Sequence, residues 1–387
     1  MRILHTVEFY HPSTGGAQEV VRRVSEGLVA RGHKVTVATT DLKERESGTL
    51  NGVEIRGFKV SGNAVRGCAG EVERYRDFLL SGRFDVMMNY AAQQWATDLV
   101  YPILPRIPYR KALAPCGFSG LFDPLYGSYF QELPSILKKY DHLIFHSKSG
   151  RDAQFVRQHS IDNGSLIPNG ASLDEFSAAH PGFREKYGIP SDQPLLLTVG
   201  SHTGAKGHSV VMEAFRRARI GPATMIIIGN TLFRPGCLPR CTAQARFVKL
   251  ATFGKKRVLL LDPPRNEVIA AYQAADIFLF GSNIECSPIV LFEAAASGTP
   301  FISTACGNAA EIAEWTQSGV IVATMQDGDG SVRAGASSIA DAIEDLLDDR
   351  DRLEKLRRSG RESWEKGFTW ERVALEYERV YLMLLSS

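Results

Sequence analysis

The four residues Ile277–Phe280 are all apolar, and a polar loop and then a second apolar run follow them at once. A short run with no polar face suits a strand buried on both sides of a parallel sheet. Ser287-Pro288 reads as a helix N-cap followed by proline at the first helical position, where a missing N–H is least harmful. That puts Glu285 on the loop and Glu293 about two turns into the helix. The amides of residues 288–291 are then expected to point out of the sheet edge, forming a seat for phosphate. The two carboxylates flank that seat, and each can accept hydrogen bonds from two neighbouring hydroxyls of a ribose or sugar ring.

At 387 residues the chain is long for one core and comfortable for two domains. The composition, 44% apolar and 23% charged, is that of an ordinary globular protein. A net charge of +2 is too small to argue for nucleic acid, and no such partner is expected. No apolar run reaches the length of a membrane span. The start, Met1-Arg2-Ile3-Leu4-His5-Thr6-Val7, turns polar too soon for a signal peptide and reads as a first strand. Six scattered cysteines, several inside apparent core segments, fit a reducing, cytoplasmic compartment. Cys237 and Cys241 amount to half a metal site. With no second Cys or His pair nearby, they are expected to be ordinary thiols and no metal is expected.

In the N-terminal half, the first strand leads into Ser13-Thr14-Gly15-Gly16-Ala17-Gln18-Glu19, then a helix with Val20, Val24 and Leu28 on one face and Gly32 as its stop, then a strand at 35–38. This is a βαβ unit whose glycines, Gly15 and Gly16, let backbone approach a ligand at a helix start. It is not the dinucleotide G-x-G-x-x-G pattern, which weakens a dehydrogenase reading. Further strands are expected at Val53–Phe58, 84–89, 111–114 and 143–146, with a loop at 60–72 and a helix opening at Ser147-Lys148-Ser149. The strand at 111–114 ends in the loop Pro115-Cys116-Gly117-Phe118-Ser119-Gly120. Tyr126, Tyr129 and Phe130 read either as a stacking surface or as aromatic core. Pro168-Asn169-Gly170 is a turn signal and the simplest domain boundary.

In the C-terminal half, Leu195–Val199 is a strong buried strand. It ends in Gly200-Ser201-His202-Thr203-Gly204-Ala205-Lys206-Gly207-His208, and a helix with Val210, Val211, Ala214 and Phe215 follows. A lysine at a helix entrance beyond a strand suits an anionic ligand. Residues 231–256 carry Arg234, Arg240, Arg246, Lys249, Lys255 and Lys256, which read as a solvated basic face or a seat for an anionic partner. Strands at 224–228, 258–261 and 301–303, helices at 267–274, 337–347 and 350–365, and an amphipathic final helix complete the pattern.

Glu285 and Glu293, running into Ala294-Ala295-Ala296-Ser297-Gly298-Thr299-Pro300, resemble the E-x7-E signature of retaining glycosyltransferases of family four (glycosyl transferases group 1), which have the GT-B fold. Ile167-Pro168-Asn169-Gly170 with Ser172-Leu173-Asp174-Glu175-Phe176 is similar to that family's I-P-N-G-V-D…F segment. Lys206-Gly207 fits its G-R-x-x-x-x-K-G loop, and Gly15-Gly16-Ala17-Gln18-Glu19 its glycine turn. Gly307-Asn308-Ala309-Ala310-Glu311 is similar to its G-G-N-x-E turn. There are three departures: Ser201 stands where the family has arginine, Cys116 where it has histidine, and one glycine of the G-G-N-x-E turn is replaced in the Ala305-Cys306 context.

The resemblance covers nearly the whole chain and implies an α/β protein of two doubly wound Rossmann-like domains facing across a cleft. Residues 1–170 are the acceptor side and 171–369 bind the nucleotide sugar. Residues 370–387 form a helix returning to the first domain. The implied activity moves a sugar from a nucleotide-diphosphate donor to a hydroxyl of a glycan or lipid-linked acceptor, with retention and without metal or cofactor. The protein would be cytoplasmic, touching the inner membrane face peripherally. Glu285 and Lys206 take the catalytic roles. Glu293, Ser201, Gly200, Ser287, Pro288 and Ile289 bind the donor, with Arg265 as candidate for the missing arginine. Gly15, Gly16, Gly117 and Ser119 line the phosphate or acceptor side. The alternatives are a non-catalytic nucleotide-sugar-binding protein, or a sugar-nucleotide epimerase or phosphorylase on the same fold.

Overall fold

The computed structural model describes residues 1–231 and 236–386; Arg234 lies outside the described residues. The chain divides into two compact units, one formed by Met1–Asn169 with Trp370–Ser387 and the other by Gly170–Thr369. Among the described residues no helix is long and apolar enough to cross a membrane.

The first unit holds β1 (Arg2–Thr6), β2 (Lys34–Thr40), β3 (Thr49–Leu50), β4 (Val53–Phe58), β5 (Val60–Asn63), β6 (Gly67–Gly70), β7 (Val86–Tyr90), β8 (Arg110–Ala114), β9 (His142–Phe145) and β10 (Gly164–Leu166). Its main sheet has the order β10-β9-β8-β7-β1-β2-β4-β3, and every pair is parallel except β3 with β4. The strands run outward from β1 in one direction and from β7 in the other, so the order switches between these two. The helix Gly16–Ala30 buries Val20, Val21, Val24 and Leu28, the stripe its sequence period requires.

The final helix, Trp370–Ser386, belongs to this unit and packs on the helix Gly16–Ala30. Its Tyr381 hydroxyl lies 3.0 Å from Nε2 of buried His5, whose Nδ1 is 2.8 Å from Ser25 Oγ. One imidazole thus ties β1 to both helices. The expected loop at 60–72 is instead the antiparallel hairpin β5–β6. Its glycine content hid the strands: at Gly62 (φ 94°) a Cβ would lie 2.0 Å from the Gly67 carbonyl oxygen, so glycine is what lets the two strands close. The helix expected to open at Ser147 starts at Arg151, with Gly150 as its N-cap.

The main sheet of the second unit holds β11 (Leu195–Val199), β12 (Ala223–Ile228), β13 (Lys256–Leu261), β14 (Ile277–Phe280), β15 (Phe301–Ser303) and β16 (Gly319–Ile321), all parallel, in the order β13-β12-β11-β14-β15-β16. Alternate residues feed opposite faces. Leu195, Leu197, Ile226, Phe278 and Phe280 join one buried cluster, and Leu196, Met225, Ile227, Ile277 and Leu279 the other. Fully burying each such side chain contributes about 1.5–3 kcal/mol. Both faces are covered, which is why these strands read as unbroken apolar runs.

Candidate functional site

The strand order of the second unit reverses between β11 and β14. Loops leaving two parallel neighbours at such a switch emerge side by side at the carboxyl edge of the sheet. These are the loops of residues 200–207 and 281–288. They are bonded to each other: the Asn283 N–H donates to the Ala205 carbonyl at 2.8 Å.

Gly207 carries a positive φ of 66° and opens the helix His208–Arg217. A Cβ there would lie 1.8 Å from the Gly281 carbonyl oxygen, so the close approach of the loops requires glycine. Gly200 lies against the Lys206 side chain, 3.2 Å from its Cγ to a notional Cβ. This packing aims Lys206 across the gap, where its ammonium donates to Glu285 Oε1 at 2.6 Å. Ser282 Oγ donates to the same oxygen at 2.7 Å. The two residues assigned catalytic roles are therefore neighbours.

Glu293 is the fifth residue of the helix Ile289–Ala296, little more than one turn in, and its side chain is only 8% exposed. Arg265, the first residue of the helix Arg265–Ala274, donates to Glu293 Oε1 at 2.5 Å and to Glu175 Oε2 at 2.7 Å. It also stacks over the Phe176 ring, 5.6 Å from its centroid. Burial opposes the charge of Arg265, but Glu293 and Glu175 outweigh it and hold the guanidinium above its ordinary pKa. Arg265 is thus engaged with two carboxylates, an arrangement the sequence did not suggest.

The helix start also differs from expectation. Pro288, not Ser287, is the N-cap, and Ile289 is the first helical residue. Proline carries no N–H, and the Leu291 N–H donates to the Pro288 carbonyl at 3.2 Å. The expected row of four amides at 288–291 therefore narrows to Ile289 and Val290. Ser201 sits beside Gly200 on the first loop, partly buried, and its carbonyl accepts the Thr203 N–H at 2.8 Å. Of the basic stretch, Arg240, Arg246 and Lys249 fall on the helix Leu238–Ala251, where Phe247 and Leu250 are also exposed, whereas Lys256 is buried and its ammonium donates to the Phe215 carbonyl.

The remaining candidates lie in the first unit. Gly15 is the N-cap of the helix Gly16–Ala30 and Gly16 its first residue. In the second loop, Cys116, Gly117 and Phe118 have successive φ values of 60°, 89° and 44°. The Gly117 N–H donates to Asp152 Oδ2 at 2.8 Å, an anchor sequence reasoning missed. Burial pushes the Asp152 carboxyl up, against the hydrogen bonds from Gly117 and Ala153. Ser119 is exposed. Tyr126 and Phe130 are core residues, and the Tyr129 hydroxyl donates to Asp98 Oδ1 at 2.9 Å, so the aromatic-core alternative holds for this trio.

The expectation that Cys237 and Cys241 have no second pair nearby is corrected. His202 and His208 are close to them in space, and the ligand atoms of all four residues lie within 4.8 Å of one another. The signal was present as an H-x5-H spacing in the loop already singled out, but its partner C-x3-C stands far along the chain.

Residues 181–363, wholly inside the second unit, match the family described as glycosyl transferases group 1. The D-inositol 3-phosphate glycosyltransferase of Xylanimonas cellulosilytica is 25% identical, over 98% of this chain and 95% of its own. The second unit thus carries a group 1 glycosyl transferase domain. Solved structures show that this glycosyltransferase has the GT-B fold. It is similar to sucrose-phosphate synthase from Thermosynechococcus elongatus with a TM-score of 0.79 and 20% identity, covering 100% of this chain and 99% of that one. It is similar to the Anabaena protein HepE, crystallised with UDP-glucose, with a TM-score of 0.75 and 14% identity over 98% and 99% of the two chains.

Proposed function

We propose that this glycosyltransferase moves a sugar from a nucleotide-diphosphate donor to a hydroxyl of a glycan or lipid-linked acceptor, with retention of anomeric configuration. The observation that carries this reading is the Lys206–Glu285 pair at the β11/β14 switch, beside the helix that starts at Ile289. Lys206 and the Ile289 and Val290 amides neutralise charge growing on the departing diphosphate. Glu293 accepts from the ribose hydroxyls. Glu285 keeps Oε1 on Lys206 and Ser282 and offers its other oxygen to a donor-sugar hydroxyl.

The bond from the anomeric carbon to the phosphate oxygen breaks while the acceptor oxygen bonds the same carbon from the same face. The acceptor proton passes to the leaving phosphate oxygen. The chemistry rests on positioning and charge stabilisation, with lysine and helix start carrying the charge, so the transfer step requires no metal and no cofactor. A lipid-linked acceptor would bring the protein to the cytoplasmic membrane face as a peripheral visitor.

The deciding experiment incubates the protein with UDP-, GDP- and ADP-sugars and follows release of free nucleoside diphosphate, with Glu293→Ala and Lys206→Ala as controls. Release from one donor, lost in both variants, fixes the donor. Thermal stabilisation by one nucleotide without release from any donor, in the presence of candidate acceptors, favours a binding protein, a reading that Ser201 in the arginine position supports. Neither release nor stabilisation overturns the proposal.

A further inference from the structure

Four side chains that take no part in donor chemistry converge at the base of the Lys206 loop. His202 lies near the start of that loop and His208 is the first residue of the helix after it. Cys237 is the N-cap of the helix Leu238–Ala251, and Cys241 lies in that helix's first turn. Cys237 Sγ is 3.5 Å from His202 Nδ1, 3.8 Å from His208 Nδ1 and 3.5 Å from Cys241 Sγ.

Zinc bound tetrahedrally by thiolates at about 2.3 Å and imidazoles at about 2.0–2.1 Å holds its sulfurs about 3.8 Å apart and each sulfur about 3.6 Å from each nitrogen. The ligand atoms of all four residues lie within 4.8 Å of one another, and the three separations from Cys237 Sγ come within about 0.3 Å of those tetrahedral values. They are far longer than the roughly 2.05 Å of a disulfide. His202, His208 and Cys241 are each only 2% exposed. Nε2 of His208 is buried with no hydrogen-bond partner, while its Nδ1 faces Cys237 Sγ and its ring packs edge-on against His202. The backbone is already drawn together for the purpose: the Cys237 N–H donates to the His202 carbonyl at 2.9 Å, and the His202 N–H to the Asn230 carbonyl at 3.0 Å.

We propose that His202, His208, Cys237 and Cys241 form a closed tetrahedral site for a structural zinc ion. Two soft thiolates with two imidazoles select zinc over the hard cations that prefer oxygen. Four protein ligands leave no open position, so the ion is structural and takes no part in the transfer step. Binding releases two thiol protons to solvent, and the two thiolates balance the charge of the ion. The ion pins the loop bearing Lys206 near both ends and clamps it to the helix Leu238–Ala251. The site stands on its own geometry and does not depend on which donor, if any, the enzyme uses.

The test needs no sugar nucleotide. Protein purified under reducing conditions is dialysed and its metal measured by plasma mass spectrometry. About one zinc per chain is expected, and it should be absent from the Cys237→Ser/Cys241→Ser double variant. Zinc retained by a folded double variant would overturn the assignment. Should the variant not fold, the wild-type protein stripped with chelator and titrated with Co²⁺ decides. Thiolate-to-cobalt charge transfer in the near ultraviolet with intense visible bands, both abolished by added Zn²⁺, supports the site. Absence of those bands, or a Cys237–Cys241 disulfide found by peptide mapping of freshly purified protein, rejects it.

Discussion

The ammonium of Lys206 donates to Glu285 Oε1 at 2.6 Å, with the two side chains 29% and 15% exposed. A partly solvated pair of this kind adds little stability, about 0–1 kcal/mol. The same lysine, facing a diphosphate leaving group, acts where charge develops, and losing one such donor costs roughly 10²–10³ in turnover. Lys206→Ala is therefore expected to lower donor hydrolysis by about two to three orders of magnitude while the melting temperature hardly moves. Initial rates and thermal melts on the same preparation check this. Activity and stability falling together would mean that the pair is structural.

Glu293 is held by Arg265, which keeps a second partner in Glu175. Glu293→Gln is expected to weaken binding of the donor's nucleoside diphosphate about tenfold, roughly 1.4 kcal/mol. Glu175→Gln should leave affinity nearly unchanged, because Arg265 retains Glu293. Titration calorimetry on the two variants separates the roles, and equal losses would show that Arg265 itself, rather than Glu293, is what the nucleotide requires.

What was legible in the sequence was what local pattern encodes. Unbroken apolar runs such as Ile277–Phe280 and Leu195–Val199 announced parallel strands because both of their faces are covered. Lys206 and Glu285 could be named from motif spacing, but their contact could not: it follows from the order of strands, and β11 and β14 are separated by two intervening strands in the chain. Arg265 was legible as a basic residue near a strand end, and its two carboxylates were not, since Glu175 and Glu293 come from distant segments. The cap at Pro288 rather than Ser287 is a one-residue shift of the kind local pattern does not fix. The pairing of His202 and His208 with Cys237 and Cys241 was missed because close spacing was sought within one stretch, whereas the fold supplies half of the ligands from each of two.

Gly207 stands at φ 66°, with the Gly281 carbonyl 1.8 Å from where a Cβ would be. No rotamer relieves a clash between Cβ and backbone, so the two loops must part. Gly207→Ala is expected to destabilise the protein by on the order of 3 kcal/mol and to lower activity at least as far as Lys206→Ala does. Chemical denaturation and the release assay measure the two effects. A variant with wild-type activity would show that the loops need not meet.

Asp98 is 4% exposed, accepting the Ala64 N–H at Oδ2 and the Tyr129 hydroxyl at Oδ1, each at 2.9 Å. Burial pushes its carboxyl up from the ordinary 3.8 to about 6, against the pull of those two hydrogen bonds. Glu8 is also raised, by burial first and by Asp98 second. A folded-state pKa above the unfolded one means that the native state holds the proton longer. Stability from this group is then greatest below pH 4 and falls as pH rises toward 6, and the cost persists above that. Asparagine has no proton to lose and can still accept from Ala64. The stability of Asp98→Asn relative to wild type should therefore improve between pH 4 and 6, by up to about 3 kcal/mol for a shift of roughly two units, and stay level above pH 6. Taking the difference between variant and wild type cancels the groups that Asp98 does not act on, among them His5, whose burial lowers its pKa to about 3 and gives the opposite slope; Glu8, which Asp98 raises, moves with the substitution and adds in the same direction. Denaturant midpoints for both proteins at pH 4, 5, 6 and 7 supply the curve. A pH-independent difference would mean that Asp98 is ionised throughout and that its hydrogen bonds outweigh its burial.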